Sequence, residues 1–312
     1  MILSIGSINV DLEFRGVASL DKHGTIRTSE FTERAGGKAA NVAFLTHRWG
    51  VPTKLLARTG RDYYAEVATA SLRKAGLDLS TVTTTDHAPT GIAIVAIARG
   101  GEKTMLNASN ANMDWDTKAI EAVCDRIRRA PSGSILIANY EIPKPVLHNA
   151  FTTAEERGLR ILVDPTFPEE TDLSSLHRFT AITPNQKEAA GLLNREITTQ
   201  EEAAVAAREL SRYGVDVVCL KLSDGGCAFC ENGEVELLPA PTVKVVDKTG
   251  AGDAFIGAFA VAILEGHCSL EAARWGVAAS SLSVENRGAQ ASYPTREELL
   301  TFLQDHTRGS DS

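Results

Sequence analysis

Short apolar runs alternate with amphipathic stretches along most of this chain, and that alternation narrows its fold more than any other feature. Ile2 to Ile5, Lys54 to Ala57, Ile135 to Ala138, Arg160 to Val163, Ala181 to Thr183 and Val217 to Leu222 have the length and apolar content of buried strands. Between them, Tyr64 to Ala75, Trp115 to Arg129, Lys144 to Arg157 and Glu201 to Tyr213 repeat apolar residues at three- and four-residue spacing, the period of a helix with one buried face. The pattern predicts an α/β fold: a three-layer α/β/α domain with a mostly parallel central sheet. Two segments break the rhythm. Residues 12–35 carry extended pieces and a turn-like Lys22-His23-Gly24, and residues 89–110 alternate and then turn at Arg99-Gly100-Gly101-Glu102. They predict antiparallel strands forming a small β lid on a single domain of residues 1–306, with 307–312 a polar, frayed tail.

Several classes of function are set aside by composition. The longest apolar run, Ala254 to Leu264, is far shorter than the roughly 20 residues of a membrane span. Met1-Ile2-Leu3-Ser4-Ile5-Gly6 has neither the basic start nor the small-residue cleavage site of a secretory leader, so it reads as a first strand and the protein as cytoplasmic. Five cysteines at irregular spacing do not make a disulfide framework. Cys227 and Cys230 form a lone C-x-x-C, read as strand packing because zinc needs a second ligand pair. The net charge of −8 and scattered basic residues argue against a nucleic-acid partner; the cluster Arg126, Arg128 and Arg129 reads as a solvated helix face.

Chemistry concentrates in two glycine-rich turns. Val245-Val246-Asp247-Lys248-Thr249-Gly250-Ala251-Gly252-Asp253 leads from an apolar stretch through a turn into an Ala-rich helix, which leaves backbone N–H groups free at the helix start for an anion. The turn is neither a dinucleotide fingerprint, because Phe255 stands at the third-glycine position, nor a P-loop elsewhere, because Thr32 precedes Gly37-Lys38 where the first glycine is needed. Asp253 reads either as a helix cap or as a carboxylate beside a bound anion. Ala35-Gly36-Gly37-Lys38-Ala39-Ala40-Asn41 opens a second helix and reads either as a tight turn with an exposed lysine or as a ligand wall shared with Asn41.

Four motifs in this order give the chain a strong resemblance to the ribokinase (PfkB) family of carbohydrate kinases over about residues 2–300: Gly6-Ser7-Ile8-Asn9-Val10-Asp11, Gly36-Gly37-Lys38-x-x-Asn41, Asn185-Gln186-Lys187-Glu188, and Asp247-x-Thr249-Gly250-Ala251-Gly252-Asp253, continued by Arg287-Gly288-Ala289. The resemblance implies a ribokinase-like fold and transfer of the γ-phosphoryl group of ATP to a hydroxyl of a small sugar, a pentose or a relative. It implies that Asp253 is the general base and Gly250, Ala251 and Gly252 the anion hole, with Asn9, Asp11, Gly37, Lys38, Asn41 and Glu141 binding sugar. The nucleotide would meet Asn185, Glu188, Lys221, Ser223, Gly226, Gly250 and Gly252, with Glu188 holding Mg²⁺ through water. A monovalent cation, K⁺, would sit at Asp247 and Thr249 with Ser283, Asn286, Gly288 and Ser292, and two copies would pair as a homodimer through the lid.

Three positions depart from the family pattern: Ser223 replaces a glycine, Lys248 a threonine, and Val277 an adenine-side asparagine. Two other functions remain open in the sequence. One is a nucleoside kinase of the same fold, whose base would lie on Phe14, Phe31, Ile92 and Ile94; the other is a catalytically silent sugar- or nucleotide-binding regulator.

Overall fold

Ile2–Ile5 (β1) is buried along its whole length and pairs in parallel on both sides, which places it inside the main sheet. The computed structural model describes residues 1–17, 25–99 and 103–307. The expected Lys22-His23-Gly24 turn, residues 100–102 of the second turn and residues 308–312 of the expected tail lie outside the described residues. From β1 the chain passes through Asn9–Val17 (β2), Glu30–Gly36 (β3), Lys38–Arg48 (α1), Thr53–Thr59 (β4), Tyr63–Lys74 (α2), Val82–Thr84 (β5), Gly91–Ala98 (β6) and Lys103–Ala108 (β7). It continues through Thr117–Arg128 (α3), Ile135–Asn139 (β8), Lys144–Glu156 (α4), Arg160–Asp164 (β9), Ala181–Ile182 (β10), Gln186–Leu193 (α5) and Gln200–Ser211 (α6). The remainder is Val217–Lys221 (β11), Cys227–Glu231 (β12), Glu234–Leu238 (β13), Ala251–Leu264 (α7), Ser269–Ser283 (α8) and Arg296–Thr307 (α9). The strands and helices expected from periodicity are all present, their ends displaced by no more than a residue or two.

Nine strands form the main sheet in the order β13, β12, β11, β10, β9, β8, β1, β4, β5. Every pair from β11 to β5 is parallel, and the β11–β12–β13 meander closes one edge antiparallel. Alternate residues of β8 point to opposite sides: Leu136 and Ala138 join a core with α3, α4 and α6, while Ile135 and Ile137 join one with α1, α7 and α8. The same alternation separates Cys227 from Cys230. They lie on opposite faces of β12, one in each core, so they cannot share a ligand.

β3, β2, β6 and β7 make the smaller sheet. Its outer pairs are antiparallel as expected, but β2 and β6 run parallel. The reason is connectivity: β2 follows β1 and β6 follows β5, two strands of the parallel sheet, so both leave its carboxyl edge in the same direction. The sheet also begins before the expected Leu12. Asn9 and Asp11 are therefore residues of β2 itself, not of the end of the first strand.

Helix α7 has no polar face. From Asp253 to Ile263 all its residues are buried, and it packs against α1, α8 and the main sheet. Among the described residues no helix is long and apolar enough to cross a membrane. Because Phe259 is 1% exposed in the middle of α7, Phe259→Ala should destabilise the fold by about 3–5 kcal/mol, read as a lower urea midpoint at unchanged slope.

Candidate active site

The first turn of α7 faces a cleft of about 890 Å³ between the carboxyl edge of the main sheet and the smaller sheet. Gly250 starts the helix with φ +79°, a conformation glycine adopts without strain, and a Cβ there would lie 2.6 Å from both Ala289 and the Tyr293 hydroxyl. Tyr293 donates to the Gly250 carbonyl (3.1 Å) and so pins the turn. Within a helix's first turn the N–H groups have no intrahelical acceptor, and those of Gly252 and Asp253 belong to that turn beside the cleft.

Asp253 is 5% exposed. Asn41 Nδ2 donates to its Oδ2 (2.8 Å), and Gln290 Nε2 donates to Asn41 Oδ1 (3.0 Å), which fixes the amide's orientation. Burial raises the Asp253 pKa, opposed by the Lys38 ammonium 3.6 Å from Oδ1 and by the Asn41 bond. Lys38 Nζ is also 3.4 Å from Asp164 Oδ2, and Lys221 Nζ is 3.5 Å from the same oxygen. Burial works against the Lys38 charge, but Asp164, Asp253, Glu141 and Glu188 outweigh it and hold its pKa well above the ordinary value. Burial opposes ionisation of Asp164 too, yet Lys221 and Lys38 keep it a carboxylate with a lowered pKa.

Asn9, Asp11, Gly37, Lys38, Asn41 and Glu141 line the same cleft. Gly37, at φ +92°, lets α1 approach β2 closely: a Cβ there would lie 2.6 Å from the Ile8 Cα. Glu141 accepts from Ser7 Oγ, which in turn accepts from the Lys38 N–H (3.0 Å). Asn9 Oδ1 accepts from Asn112 Nδ2 (2.6 Å), and Asn112 also bonds both backbone groups of Ile8. Burial pushes the Asp11 pKa up to about 7; Lys103 opposes this, and Glu141, Asp253 and Glu13 add to it.

On the nucleotide side Asn185 caps α5 and forms a capping box with Glu188: Asn185 N–H donates to Glu188 Oε2 (2.8 Å) and Glu188 N–H to Asn185 Oδ1 (2.9 Å). Burial and the neighbouring Asp164 raise the Glu188 pKa, against the pull of Lys221 and Lys38. Two departures from the family pattern meet here, since Lys248 Nζ donates to the Ser223 carbonyl (3.2 Å).

Several residues singled out in the sequence lie outside the cleft lining. Gly226 does not line the cleft: it turns β12 into its hairpin, with its N–H on Asp224 Oδ1 (2.8 Å), while Gly225 reaches the cleft. Val277 is buried in the helical core, and Ser280, Ser281 and Val284 border the cleft instead. Asp247, Ser283, Asn286, Gly288 and Ser292 lie behind the turn, outside the cleft lining, whereas Thr249 is on its wall. Phe14, Phe31, Ile92 and Ile94 sit on the opposite face of the smaller sheet from Asp11, Ala93 and Asn107, which face the cleft. A base held in the cleft would not meet them. Asp164, Asn112, Gln290 and Tyr293 were invisible to motif reading; each acts through contacts remote in sequence.

With that geometry in view, the known relatives are informative. A model of the pfkB family of carbohydrate kinases matches residues 1–296. The ribokinase of Haemophilus influenzae is 29% identical over 301 residues, covering 96% of this chain and 97% of its own. That of Schizosaccharomyces pombe is 31% identical over 310 residues, 96% of both. The structure of Arabidopsis thaliana ribokinase complexed with ribose and ATP superposes with a TM-score of 0.84 at 28% identity, covering 97% of this chain and 98% of that one. The chain belongs to the pfkB family of carbohydrate kinases, with the ribokinase-like fold. It is an ATP-dependent sugar kinase of the ribokinase type.

The environment of Asp11 has a measurable consequence for stability. Its folded-state pKa of about 7 exceeds the ordinary 3.8, so between those values the folded state binds more protons than the unfolded one and the carboxylate costs increasing stability as pH rises. Asp11→Asn removes that cost. Its melting temperature should exceed the parent's more at pH 8 than at pH 5; a pH-independent difference would show that the carboxyl is not raised.

Proposed function

We propose that this kinase phosphorylates a hydroxyl of a pentose or a closely related small sugar in the cytoplasm, with Asp253 as the general base. The observation that carries this reading is convergence: Asn9, Asp11, Lys38, Asn41, Glu141 and Asp253, drawn from four separate stretches of chain, line one cleft beside the first turn of α7. A ring of amides and carboxylates suits a ligand that presents several hydroxyls. The smaller sheet acts as the lid that covers it. The apolar face expected for a nucleoside base is turned away from the cleft, which favours a sugar over a nucleoside.

In the reaction the attacking hydroxyl bonds to the γ-phosphorus as its proton passes to Asp253, and the bond from that phosphorus to the bridging oxygen breaks to release ADP. Burial makes Asp253 a better proton acceptor, and the Lys38 ammonium favours its ionised form. The Gly250–Asp253 turn offers backbone N–H groups to the transferring phosphoryl oxygens, fixed in advance by Tyr293. Lys38 and Lys221 add positive charge on the same side. Asn185, Ser223 and Gly225 flank the nucleotide, and Pro241, Val243 and Val284 give its base an apolar slot.

Mg²⁺ fits the donors present. Glu188 lies on the phosphate side with Asp164 nearby, two carboxylates whose mutual repulsion a divalent ion relieves. Among the described residues no cage of three or more His, Cys, Asp or Glu exists, and a magnesium ion that keeps its waters needs none. Bound with ATP, the ion would neutralise phosphate charge. All five cysteines are free thiols, as suits a reducing cytoplasm. A homodimer through the lid would cover its outer face, where Phe31 is 50% and Leu106 65% exposed.

ADP release measured against pentoses, hexoses, keto-deoxy acids and nucleosides tests the substrate class; a nucleoside turned over faster than every pentose would overturn it. Asp253→Asn should retain sugar and ATP binding and a parental melting temperature while turnover falls by roughly 10²–10⁴. A variant keeping more than about a tenth of parental turnover would make Asp253 a cap only. Asn9→Ala should raise the sugar KM by on the order of tenfold and leave the ATP KM unchanged, since it removes a hydroxyl partner from the sugar side alone.

A further inference from the structure

The loop beneath the anion turn is already supplied with positive charge by the chain itself. Asp247 Oδ1 accepts from the N–H (3.0 Å) and the hydroxyl (2.7 Å) of Thr249, and Oδ2 accepts from the Gly288 N–H (3.1 Å) and lies 3.5 Å from Arg15 Nη2. Two oxygens with about four acceptor positions thus meet four donors, and none is left for a metal ion. Lys103 Nζ donates to Thr249 Oγ1 (2.7 Å), so that hydroxyl too is engaged from both sides. Arg34 packs over Gly288 on the facing loop; its buried Nε has no hydrogen-bond partner among the described residues. Three cationic side chains from the lid therefore converge on the two loops that the family resemblance would give to K⁺.

This donor set does not fit a bound monovalent cation. K⁺ would have to displace an arginine from a carboxylate that is largely out of water, with side-chain exposures of 17% for Arg15 and 8% for Asp247. A fixed guanidinium and ammonium nearby would also repel it.

We infer that Arg15, supported by Lys103, takes the place of a monovalent cation beneath the anion turn, so that the Gly250–Asp253 backbone is set by the lid and the kinase works without K⁺. Arg15 is then a positioning residue: it touches neither sugar nor ATP and acts through Asp247 and Thr249. The inference rests on the sugar-kinase reading for its kinetic arm only.

The test compares KCl with tetramethylammonium chloride at equal ionic strength. In the unmodified protein without substrates, the melting temperature should be the same in both salts, because a ligand that does not bind the folded state cannot stabilise it. Turnover should agree within about twofold, both salts screening charge alike. In Arg15→Ala, turnover in tetramethylammonium should fall about tenfold with KM values little changed, the mark of a turn mis-set for the transition state. K⁺ should then restore part of the loss, a rescue that a purely structural tie would not give. The inference is overturned if the unmodified protein melts several degrees higher in K⁺ or turns over more than about fivefold faster in it. It is equally overturned if Arg15→Ala keeps parental turnover in tetramethylammonium, or loses turnover that K⁺ does not restore. Absence of sugar-dependent ADP release in both salts would instead defeat the sugar-kinase reading, and the melting comparison would still decide the cation question.

Discussion

One ammonium group organises the centre of this molecule. Lys38 stands 3.4 Å from Asp164 and 3.6 Å from Asp253, and without it two buried carboxylates would face each other in a poor solvent for charge. Their burial alone opposes ionisation; the lysine, joined by Lys221 at the same Asp164 oxygen, works against that. The cluster still carries more acids than bases, since Asp11, Glu141 and Glu188 border the same cleft. All three have raised pKa values, with burial the leading cause.

The convergence follows from the parallel sheet. When strands run side by side in one direction their carboxyl ends share an edge, and the loops that leave them meet there. Glu141 follows β8, Asp164 ends β9, Asn185 follows β10 and Lys221 ends β11, so four successive strand ends each deliver a polar group to one rim. Helix α7 completes it from the opposite layer. Because that helix is otherwise apolar on every side, it can be buried with its first turn at the rim, and its free N–H groups and the Asp253 carboxylate are then the polar features it presents to the cleft.

Much of this was legible in the sequence, for definite reasons. Strand and helix periods are local and repeated, so the α/β layering stood out, and the glycine-rich turns announce themselves because few other residues tolerate their backbone. What escaped detection depends on partners far along the chain. Asp164, in Asp164-Pro165-Thr166, looks like a turn residue until β9 sets it between lysines from α1 and β11. Asn112 lies in an unremarkable polar stretch, yet it clamps Ile8 and Asn9 from about a hundred residues away. The parallel β2–β6 pairing was equally hidden, because alternation signals a strand and not its direction. Val277 shows the opposite failure: an aligned position predicted the nucleotide side, and helix packing turned its side chain into the core.

The smaller sheet is tied to the main domain at two levels, and the sugar cleft lies between them. At its base, Ser7 links Glu141 to the start of α1, Asn112 grips Asn9, and Gly37 allows backbone contact that a Cβ would forbid. Farther along β2 and β7, Arg15 reaches Asp247 and Lys103 reaches Thr249, the residues that lead into the anion turn. A sheet held only at its base could tilt without disturbing α7. One that also grips the approach to Gly250 cannot, so the position of the lid and the aim of the backbone N–H groups at its feet are parts of a single arrangement.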